Sequence, residues 1–217
     1  MNDIAIFGAG GFGKEVACLI NSINRKKPTW NFIGFFDDNV SLKGTRNNYG
    51  NIIGTINDLN NYEYPLGIVV AIGEPSNIYK TIISIKNNNI TFPNLISPDL
   101  TELDNESCSI GKGNVIMFQS LISHNVCIGD FNVFNCGTSI GHDVKIGSFN
   151  SFMSYTKLSG NLTIGDQNFF GVGSVIIQNI KIGFKTTIGA NSLILRDTKN
   201  ETTYLGNPAN ALLKPKL

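Results

Sequence analysis

The sequence predicts two successive domains: a small α/β domain with a parallel sheet, then a parallel β-solenoid of triangular cross-section. A strand, a glycine-rich turn and a helix follow one another between residues 4 and 23. Further along, an aliphatic or phenylalanine side chain recurs at every sixth position from 110 to 194 without an insertion. Such a short, sustained period is the signature of a solenoid. We therefore divide the chain into domains 1–97 and 98–217.

Composition excludes several classes of protein. The chain has 217 residues and a formal net charge of +1, with no basic stripe of the kind that binds nucleic acid. No apolar run reaches the roughly 18 residues that span a membrane. The first residues lead directly into a strand and not into a secretory signal, so we expect a cytoplasmic protein. The four cysteines form no C-x-x-C pair and no zinc spacing, so no metal is expected.

The first strand, residues 4–7, runs into a glycine-rich turn and a helix at 14–23. Gly8, Gly10 and Gly13 satisfy G-x-G-x-x-G in the strand-turn-helix context that the motif requires. These glycines let the backbone approach a pyrophosphate, and the helix N-terminus attracts the anion. A second strand, 31–36, ends in Asp37 and Asp38, whose carboxylates can accept hydrogen bonds from a ribose or a base.

The rest of this domain alternates between strands and helices. Strands are predicted at 52–54, 66–72 and 90–95, and Pro75 begins a helix that extends to about residue 86. Pro93 places the last strand at an edge of the sheet. This alternation gives a small parallel sheet, half the size of a dinucleotide-binding domain. We therefore expect a mononucleotide or nucleotide-linked ligand. An NAD-dependent enzyme is an alternative, and failure of the protein to bind NAD would exclude it.

In the solenoid, three six-residue strands form each turn, and the turns stack at the strand spacing of about 4.8 Å. Side chains on the six-residue period, and those two positions earlier, should fill the interior. One column holds Ile116, Phe134, Phe152, Phe170 and Ile188. An Ile-Gly dipeptide recurs every eighteen residues, and we expect its glycine to adopt the backbone angles of a sharp corner. An ordinary β-sandwich would show irregular turns about 8–12 residues apart.

Two histidines, His124 and His142, are the only ones in the chain and lie eighteen residues apart. They should therefore occupy one outward-facing corner column on adjacent turns. Histidine is suited to general base catalysis near neutral pH, and the adjacent Asp143 is placed to fix its tautomer. Gly160 follows in the same column, one turn further on. A His-Asp pair on a surface is more often inert, so this pattern alone leaves catalysis open.

The hexad pattern resembles the hexapeptide-repeat transferases, whose fold is a left-handed parallel β-helix. The whole chain, a Rossmann-like half domain before such a helix, is similar to the nucleotide-sugar acetyltransferases of the sialic-acid and bacillosamine biosynthesis group. The motifs that carry the likeness are Gly8 to Gly13, Phe35-Phe36-Asp37-Asp38, Ala71-Ile72-Gly73, Ile140-Gly141-His142-Asp143, Ser159-Gly160-Asn161 and Gly206-Asn207-Pro208-Ala209.

The resemblance implies roles for individual residues. His142 would be the general base, Asp143 would support it, and the Gly160 N–H would stabilise the oxyanion of the thioester carbonyl. The residues implied to bind the nucleotide sugar are Gly10, Gly11, Phe12, Asp37, Asp38 and Gly73. Those implied to bind acetyl-CoA, in a groove between the subunits of a homotrimer, are Ser151, Gly160, Val172 and Ala190.

The predicted reaction is acetyl transfer from acetyl-CoA to the amino group of a UDP- or dTDP-linked amino-deoxy sugar. The product would enter a bacterial surface glycan such as a lipopolysaccharide O-antigen. Transfer would be direct, since no Cys or Ser pairs recognisably with His142. Phe12 and Ser151 stand where some family members carry histidine, which leaves the acceptor open. The alternatives are O-acetylation of a sugar, sialic acid included, and a non-catalytic trimeric nucleotide-binding scaffold.

Overall fold

The computed structural model describes residues 1–102, 104 and 106–212, and the chain divides into two compact units, Met1–Pro98 and Asp99–Leu217. Among the described residues, no helix is both long enough and apolar enough to cross a membrane.

The first unit is built on a five-stranded parallel sheet with the strand order β3-β2-β1-β4-β5. The strands are β1 (Asn2–Phe7), β2 (Trp30–Phe36), β3 (Ile52–Gly54), β4 (Leu66–Val70) and β5 (Ile90–Thr91), with a further short strand β6 (Leu95–Ile96). The helices are α1 (Gly11–Lys26), α2 (Ile56–Asn60) and α3 (Pro75–Ser84), and a 3₁₀ turn spans Val40–Leu42. The predicted parallel α/β sheet is confirmed.

Two details of this unit differ from the prediction. The strand expected over 90–95 ends at Thr91 and a separate strand begins at Leu95. Pro93 lies in the gap and has no N–H to donate to a ladder, although β5 does occupy the sheet edge. Helix α2 was not predicted. Its signal is the capping box Thr55-x-x-Asp58, in which Asp58 Oδ2 accepts the Thr55 N–H at 2.8 Å.

The second unit is a parallel β-helix whose strands form three sheets. The first sheet contains β7 (Thr101–Glu102), β10 (Leu121–Ile122), β13 (Ser139–Ile140), β16 (Lys157–Leu158), β19 (Val175–Ile176) and β22 (Leu193–Ile194). The second contains β8 (Ser109–Ile110), β11 (Cys127–Ile128), β14 (Lys145–Ile146), β17 (Thr163–Ile164) and β20 (Lys181–Ile182). The third contains β9 (Val115–Ile116), β12 (Val133–Phe134), β15 (Ser151–Phe152), β18 (Phe169–Phe170), β21 (Thr187–Ile188), β23 (Thr203–Gly206) and β24 (Ala209–Ala211).

The strands pair in the predicted register. Residues eighteen apart are neighbours, as in Phe134 with Phe152 and Phe152 with Phe170. The side chains on the six-residue period are buried from 116 to 194, and only Ile110, on the first turn, is partly exposed. The three phenylalanines stack with ring centroids 4.8 and 4.4 Å apart. The interior and its aromatic column are therefore as the period predicts.

Asparagines form a second interior column, two positions before the period. Asn132 and Asn150 each donate both the backbone N–H and the side-chain amide to the Oδ1 of the asparagine one turn earlier, at 2.9–3.1 Å. The Asn168 backbone N–H continues the ladder to Asn150 Oδ1 at 2.8 Å. These side chains are fully buried. Because a buried amide is costly without hydrogen bonds, the ladder favours one register of the turns.

The corner glycines act differently from the prediction. The glycine of each Ile-Gly pair does not have positive φ; that conformation falls two residues later, as at Phe131, Phe149 and Gln167, with φ of 55–61°. What requires glycine is close approach between turns. A Cβ on Gly129 would lie 2.7 Å from the Gly147 carbonyl oxygen. The expectation of a strained corner at the Ile-Gly glycine was therefore wrong.

Candidate active site

The predicted histidine column is present on the second unit. His124 and His142 occupy equivalent corners of adjacent turns, and both side chains are exposed. Their rings are nearly parallel, 12° apart, with centroids separated by 5.5 Å. The backbone supports this arrangement, since Asp143 N–H donates to the His124 carbonyl and Asn161 N–H to that of His142. The column is therefore built by the same ladder of backbone hydrogen bonds as the fold.

Asp143 contacts His142 directly. Its Oδ2 lies 2.7 Å from His142 Nδ1, and its Oδ1 accepts the Asn125 side-chain amide at 3.1 Å. The hydrogen bond from His142, followed by that from Asn125, lowers the pKa of the Asp143 carboxyl below its usual value. An ionised carboxylate only accepts, so Nδ1 of His142 carries the proton and Nε2 keeps its lone pair. This is the tautomer that a general base needs.

Gly160 lies under the His142 ring on the following turn. A Cβ added there would lie 2.5 Å from both Cε1 and Nε2 of His142. Gly160 is buried, and among the described residues its N–H donates to no acceptor. At the equivalent position of another corner, the next turn supplies an acceptor: Asp130 Oδ1 accepts the Lys112 N–H at 2.9 Å. A buried donor without a partner is unusual, and this one lies beside the His142 ring.

The two histidines and Asp143 also offer ring nitrogens and a carboxylate oxygen within 4.8 Å of one another. A zinc ion needs ligand lone pairs that converge at about 2.0–2.2 Å. Nearly parallel rings direct their lone pairs side by side, and Asp143 already holds Nδ1 of His142. We therefore do not assign a metal to this cluster.

The residues expected to bind acetyl-CoA fall into two groups. Val172 and Ala190 are exposed, lie at equivalent corners of adjacent turns, and have N–H groups that donate to no described acceptor. Ser151 is instead fully buried, and its hydroxyl has no hydrogen-bond partner among the described residues. Burial does not favour a coenzyme contact for Ser151, and we assign it none. Exposure of a strand position could not be predicted from the six-residue period.

The glycine-rich turn of the first unit has the predicted geometry. Gly8 has φ of 111°, and a Cβ there would lie 2.7 Å from the Ala71 carbonyl oxygen. A Cβ on Gly13 would overlap the Gly8 carbonyl oxygen. Gly10 caps α1 and, like Gly11 and Gly73, has open space where a side chain would be, whereas Phe12 is half-buried. The turn therefore leaves room for a ligand at the N-terminus of α1.

Asp37 and Asp38 do different things. Asp37 Oδ2 accepts the Ala9 N–H at 2.8 Å and Oδ1 accepts the Asn39 N–H at 2.9 Å, so this side chain anchors the glycine-rich turn. Asp38 is exposed, and its Oδ1 accepts the Ile56 N–H at 3.1 Å. Of the two carboxylates, Asp38 is the one better placed to contact a ligand.

Both aspartates line a cleft of about 620 Å³ beside Gly8 and Ile72. The cleft lies at the carboxyl ends of β1, β2 and β4, where ligands of open parallel sheets bind. Helix α3 contributes Asn77, Lys80, Thr81 and Ser84 to its wall. Sequence reasoning missed this wall, although the spacing of these polar residues by three or four places them on one face of the predicted helix.

Residues 3–90 match the family described as the PglD N-terminal domain. A search of curated proteins found no match.

Solved structures resemble the whole chain. The acetyltransferase domain of PglB from Neisseria gonorrhoeae FA1090 is 30% identical with a TM-score of 0.88, and the match covers 98% of this chain and 100% of that domain. The same domain has been solved in complex with acetyl coenzyme A, with a TM-score of 0.87. WeeI from Acinetobacter baumannii AYE is 26% identical, with a TM-score of 0.86 and coverage of 98% and 100%.

Perosamine N-acetyltransferase from Caulobacter crescentus, solved with CoA and GDP-perosamine, is 21% identical with a TM-score of 0.84, and the match covers 99% of this chain and 98% of that chain. At this identity the likeness concerns the fold. Together these likenesses confirm the predicted Rossmann-like half domain followed by a left-handed parallel β-helix.

Proposed function

The chain belongs to the nucleotide-sugar acetyltransferases with hexapeptide repeats, and we propose that it acetylates the amino group of a nucleotide-linked amino-deoxy sugar from acetyl-CoA. The observation that carries the proposal is the contact between His142 and Asp143 with the buried, unpartnered N–H of Gly160 beside it. A base and an oxyanion donor are the two groups that direct acyl transfer needs.

In this reaction the neutral amine attacks the thioester carbonyl. His142 Nε2 takes a proton from the attacking nitrogen, and Asp143 stabilises the imidazolium that forms. The Gly160 N–H donates to the oxyanion of the tetrahedral intermediate. Collapse of this intermediate breaks the carbon–sulfur bond, and His142 returns its proton to the CoA thiolate. No covalent acyl-enzyme is required.

The acetyl-CoA site follows from the relatives and from the free backbone donors. The PglB acetyltransferase domain has been solved with acetyl coenzyme A. In this chain Val172 and Ala190 present unpartnered N–H groups on one exposed column, as the amide carbonyls of pantetheine would require. We propose a homotrimer in which this column lines a groove between subunits.

The nucleotide would bind to the first unit. The glycine-rich turn and the N-terminus of α1 would hold the phosphates, and the Lys80 ammonium in the cleft wall adds a positive charge. Asp38, as an acceptor, suits a base with an N–H on its pairing edge, which uracil, thymine and guanine all have. This chemistry fits UDP and dTDP sugars, and it also fits the GDP sugar bound to perosamine N-acetyltransferase. The product would serve bacterial surface-glycan synthesis.

A transfer assay tests the proposal. The protein is mixed with acetyl-CoA and, separately, with UDP- and dTDP-linked 3-amino and 4-amino deoxy sugars, GDP-perosamine and free sialic acids. Mass spectrometry should show one added acetyl group on one nucleotide-linked amine. Acetylation of an acceptor that has only hydroxyl groups would instead identify the protein as a sugar O-acetyltransferase. Nucleotide binding without acetyl-CoA binding, measured by calorimetry, would overturn the enzyme in favour of a scaffold.

A further inference from the structure

The proposed reaction must dispose of two protons, and one base accounts for only one of them. A primary amine is an ammonium ion at neutral pH, and an ammonium nitrogen has no lone pair. One proton must therefore leave before attack, and a second leaves the nitrogen as the new bond forms. His142 takes the second proton and returns it to the thiolate, so the first must pass either to water before the acceptor binds or to another group in the site.

The neighbouring turn supplies a candidate at the right distance. His124 stacks on His142 with nearly parallel rings, both exposed. Nδ1 of His124 lies 3.3 Å from the Ser123 hydroxyl and Nδ1 of His142 lies 2.7 Å from Asp143. Nε2 is thus the ring nitrogen that each residue leaves unused. Because the two rings stack at equivalent corners, both are exposed on the same column.

An ammonium ion at this corner can reach both rings. Their centroids are 5.5 Å apart, and a ring nitrogen of His124 and one of His142 lie within 4.8 Å of each other. Because the rings are nearly parallel, their lone pairs do not meet at one point. The ammonium nitrogen therefore donates to the two rings in succession and not to both at once.

We propose that His124 is a second catalytic base, which removes the first proton from the acceptor ammonium before His142 acts. This inference rests on the proposed function, because only an amine acceptor arrives with a proton to lose. The His124 ring stacks on that of His142, and its charge acts on the carboxylates of Asp104 and Asp143. The described and exposed Glu106 lies eighteen residues before His124.

The electrostatics at Asp104 agree with this geometry. A hydrogen bond from Ser107 chiefly, and the charge of His124 in small part, lower the pKa of the Asp104 carboxyl. The charge of His124 likewise contributes to lowering the pKa of Asp143, after the hydrogen bonds from His142 and Asn125. Both carboxylates therefore lie close enough to His124 for its charge to act on them.

The steps balance. The ammonium gives one proton to His124, and rotation about the carbon–nitrogen bond turns the new lone pair toward the thioester. Attack forms the carbon–nitrogen bond, and His142 takes the second proton. Breaking the carbon–sulfur bond releases the thiolate, which His142 protonates. His124 then releases its proton to water, so each turnover yields an amide, a thiol and one free proton.

The test compares the same substitution at the two stacked positions. The value of kcat/KM is measured from pH 6 to 9.5 for wild type, His124→Phe and His142→Phe, with whichever of GDP-perosamine and the UDP- and dTDP-linked amino sugars the wild type acetylates. Phenylalanine keeps a flat ring and removes the proton acceptor. His124→Gln is measured alongside, with thermal unfolding, in case an exposed phenyl ring disturbs the corner.

The inference predicts a defect that depends on pH. A variant without the first base can use only acceptor that is already neutral, about one-tenth of an amine that titrates near 8 when the solution is at pH 7. His124→Phe and His124→Gln should therefore lose about tenfold at pH 7, lose more at pH 6, and recover to within about twofold at pH 9. His142→Phe should stay impaired throughout.

Two results would overturn it. A loss of equal size at every pH would make His124 a structural residue, and no loss at pH 6 would remove it from the reaction. Both are distinguishable from failure of the proposed function, in which the wild type itself transfers no acetyl group to any amine on the panel.

Discussion

Gly160→Ala tests how closely the active-site column is packed. The new methyl group would lie 2.5 Å from Cε1 and Nε2 of His142. Carbon atoms in contact prefer about 3.5–4.0 Å, so the ring must move by about 1 Å. The His142 side chain is 55% exposed and can give way without unfolding the turn. A misplacement of this size costs about 10²-fold in rate.

The assay measures kcat for acetyl transfer together with the dissociation constant of acetyl-CoA and the unfolding temperature. We expect kcat to fall about a hundredfold, with unfolding little changed. Alanine keeps the backbone N–H at position 160, so the loss would not come from removal of the oxyanion donor.

A double-mutant cycle separates the ring displacement from other effects. In a His142→Ala background there is no ring to displace, so Gly160→Ala should cause little further loss and the two substitutions should be strongly non-additive. Full additivity, or a Gly160→Ala enzyme as fast as wild type, would refute the packing argument.

Three further predictions concern the site and the fold. Asp143→Asn should lower kcat by at least about tenfold, which is less than the full contribution of a general base. Asn125 would donate to the new amide oxygen, so the amide NH₂ would face His142 Nδ1. The ring proton would then move to Nε2 and block the base. A substitution at Asn125 that abolishes its donor should then soften the defect, and an unchanged rate in the single variant would contradict this. Phe152→Ala, at a fully buried ring in the aromatic column, should lower the free energy of unfolding by about 3–5 kcal/mol in urea denaturation; a loss under about 1 kcal/mol would mean that the column is not tightly packed. Asp58 has its pKa lowered from 3.8 to about 2, chiefly by its hydrogen bond with Lys43. Its contribution to stability is present above pH 3.8 and is lost toward pH 2, so the urea midpoints of wild type and Asp58→Asn should converge as the pH falls from about 4 to about 2, and a constant gap would count against the cap.

Much of the second unit was predictable because its period is short and each turn repeats the same environment. A side chain every sixth residue has to point inward in a three-sided coil, so Phe134, Phe152 and Phe170 could be stacked from spacing alone. The corner chemistry was harder to predict. A glycine can be required either for positive φ or for close packing, and the sequence does not distinguish the two. The distance from Gly129 to the next turn shows that close packing is the reason here.

The site was predictable as a column but not as a set of contacts. Spacing brought His124, His142 and Gly160 together, because eighteen residues is one turn. It could not show that Asp143 contacts Nδ1, because sequence neighbours at a corner often diverge. Nor could it show that Ser151 is buried, because outward strand positions are covered or exposed according to tertiary packing.

In the first unit the glycine motif predicted the turn, but the different roles of the two aspartates could not be predicted from the sequence. Asp37 and Asp38 are adjacent acids after one strand, and composition treats them alike. Their backbone partners differ, so one anchors the turn and the other borders the cleft. Lys80 was missed because a single lysine on an amphipathic helix carries no motif.

The most direct test of the central claim is the turnover of His142→Ala on the amine that the wild type acetylates. If His142 takes the proton from the attacking nitrogen, kcat should fall by about 10²–10⁴, while the dissociation constant of acetyl-CoA stays within a factor of a few. Turnover unchanged within a few-fold, in a folded protein that still binds acetyl-CoA, would contradict the account.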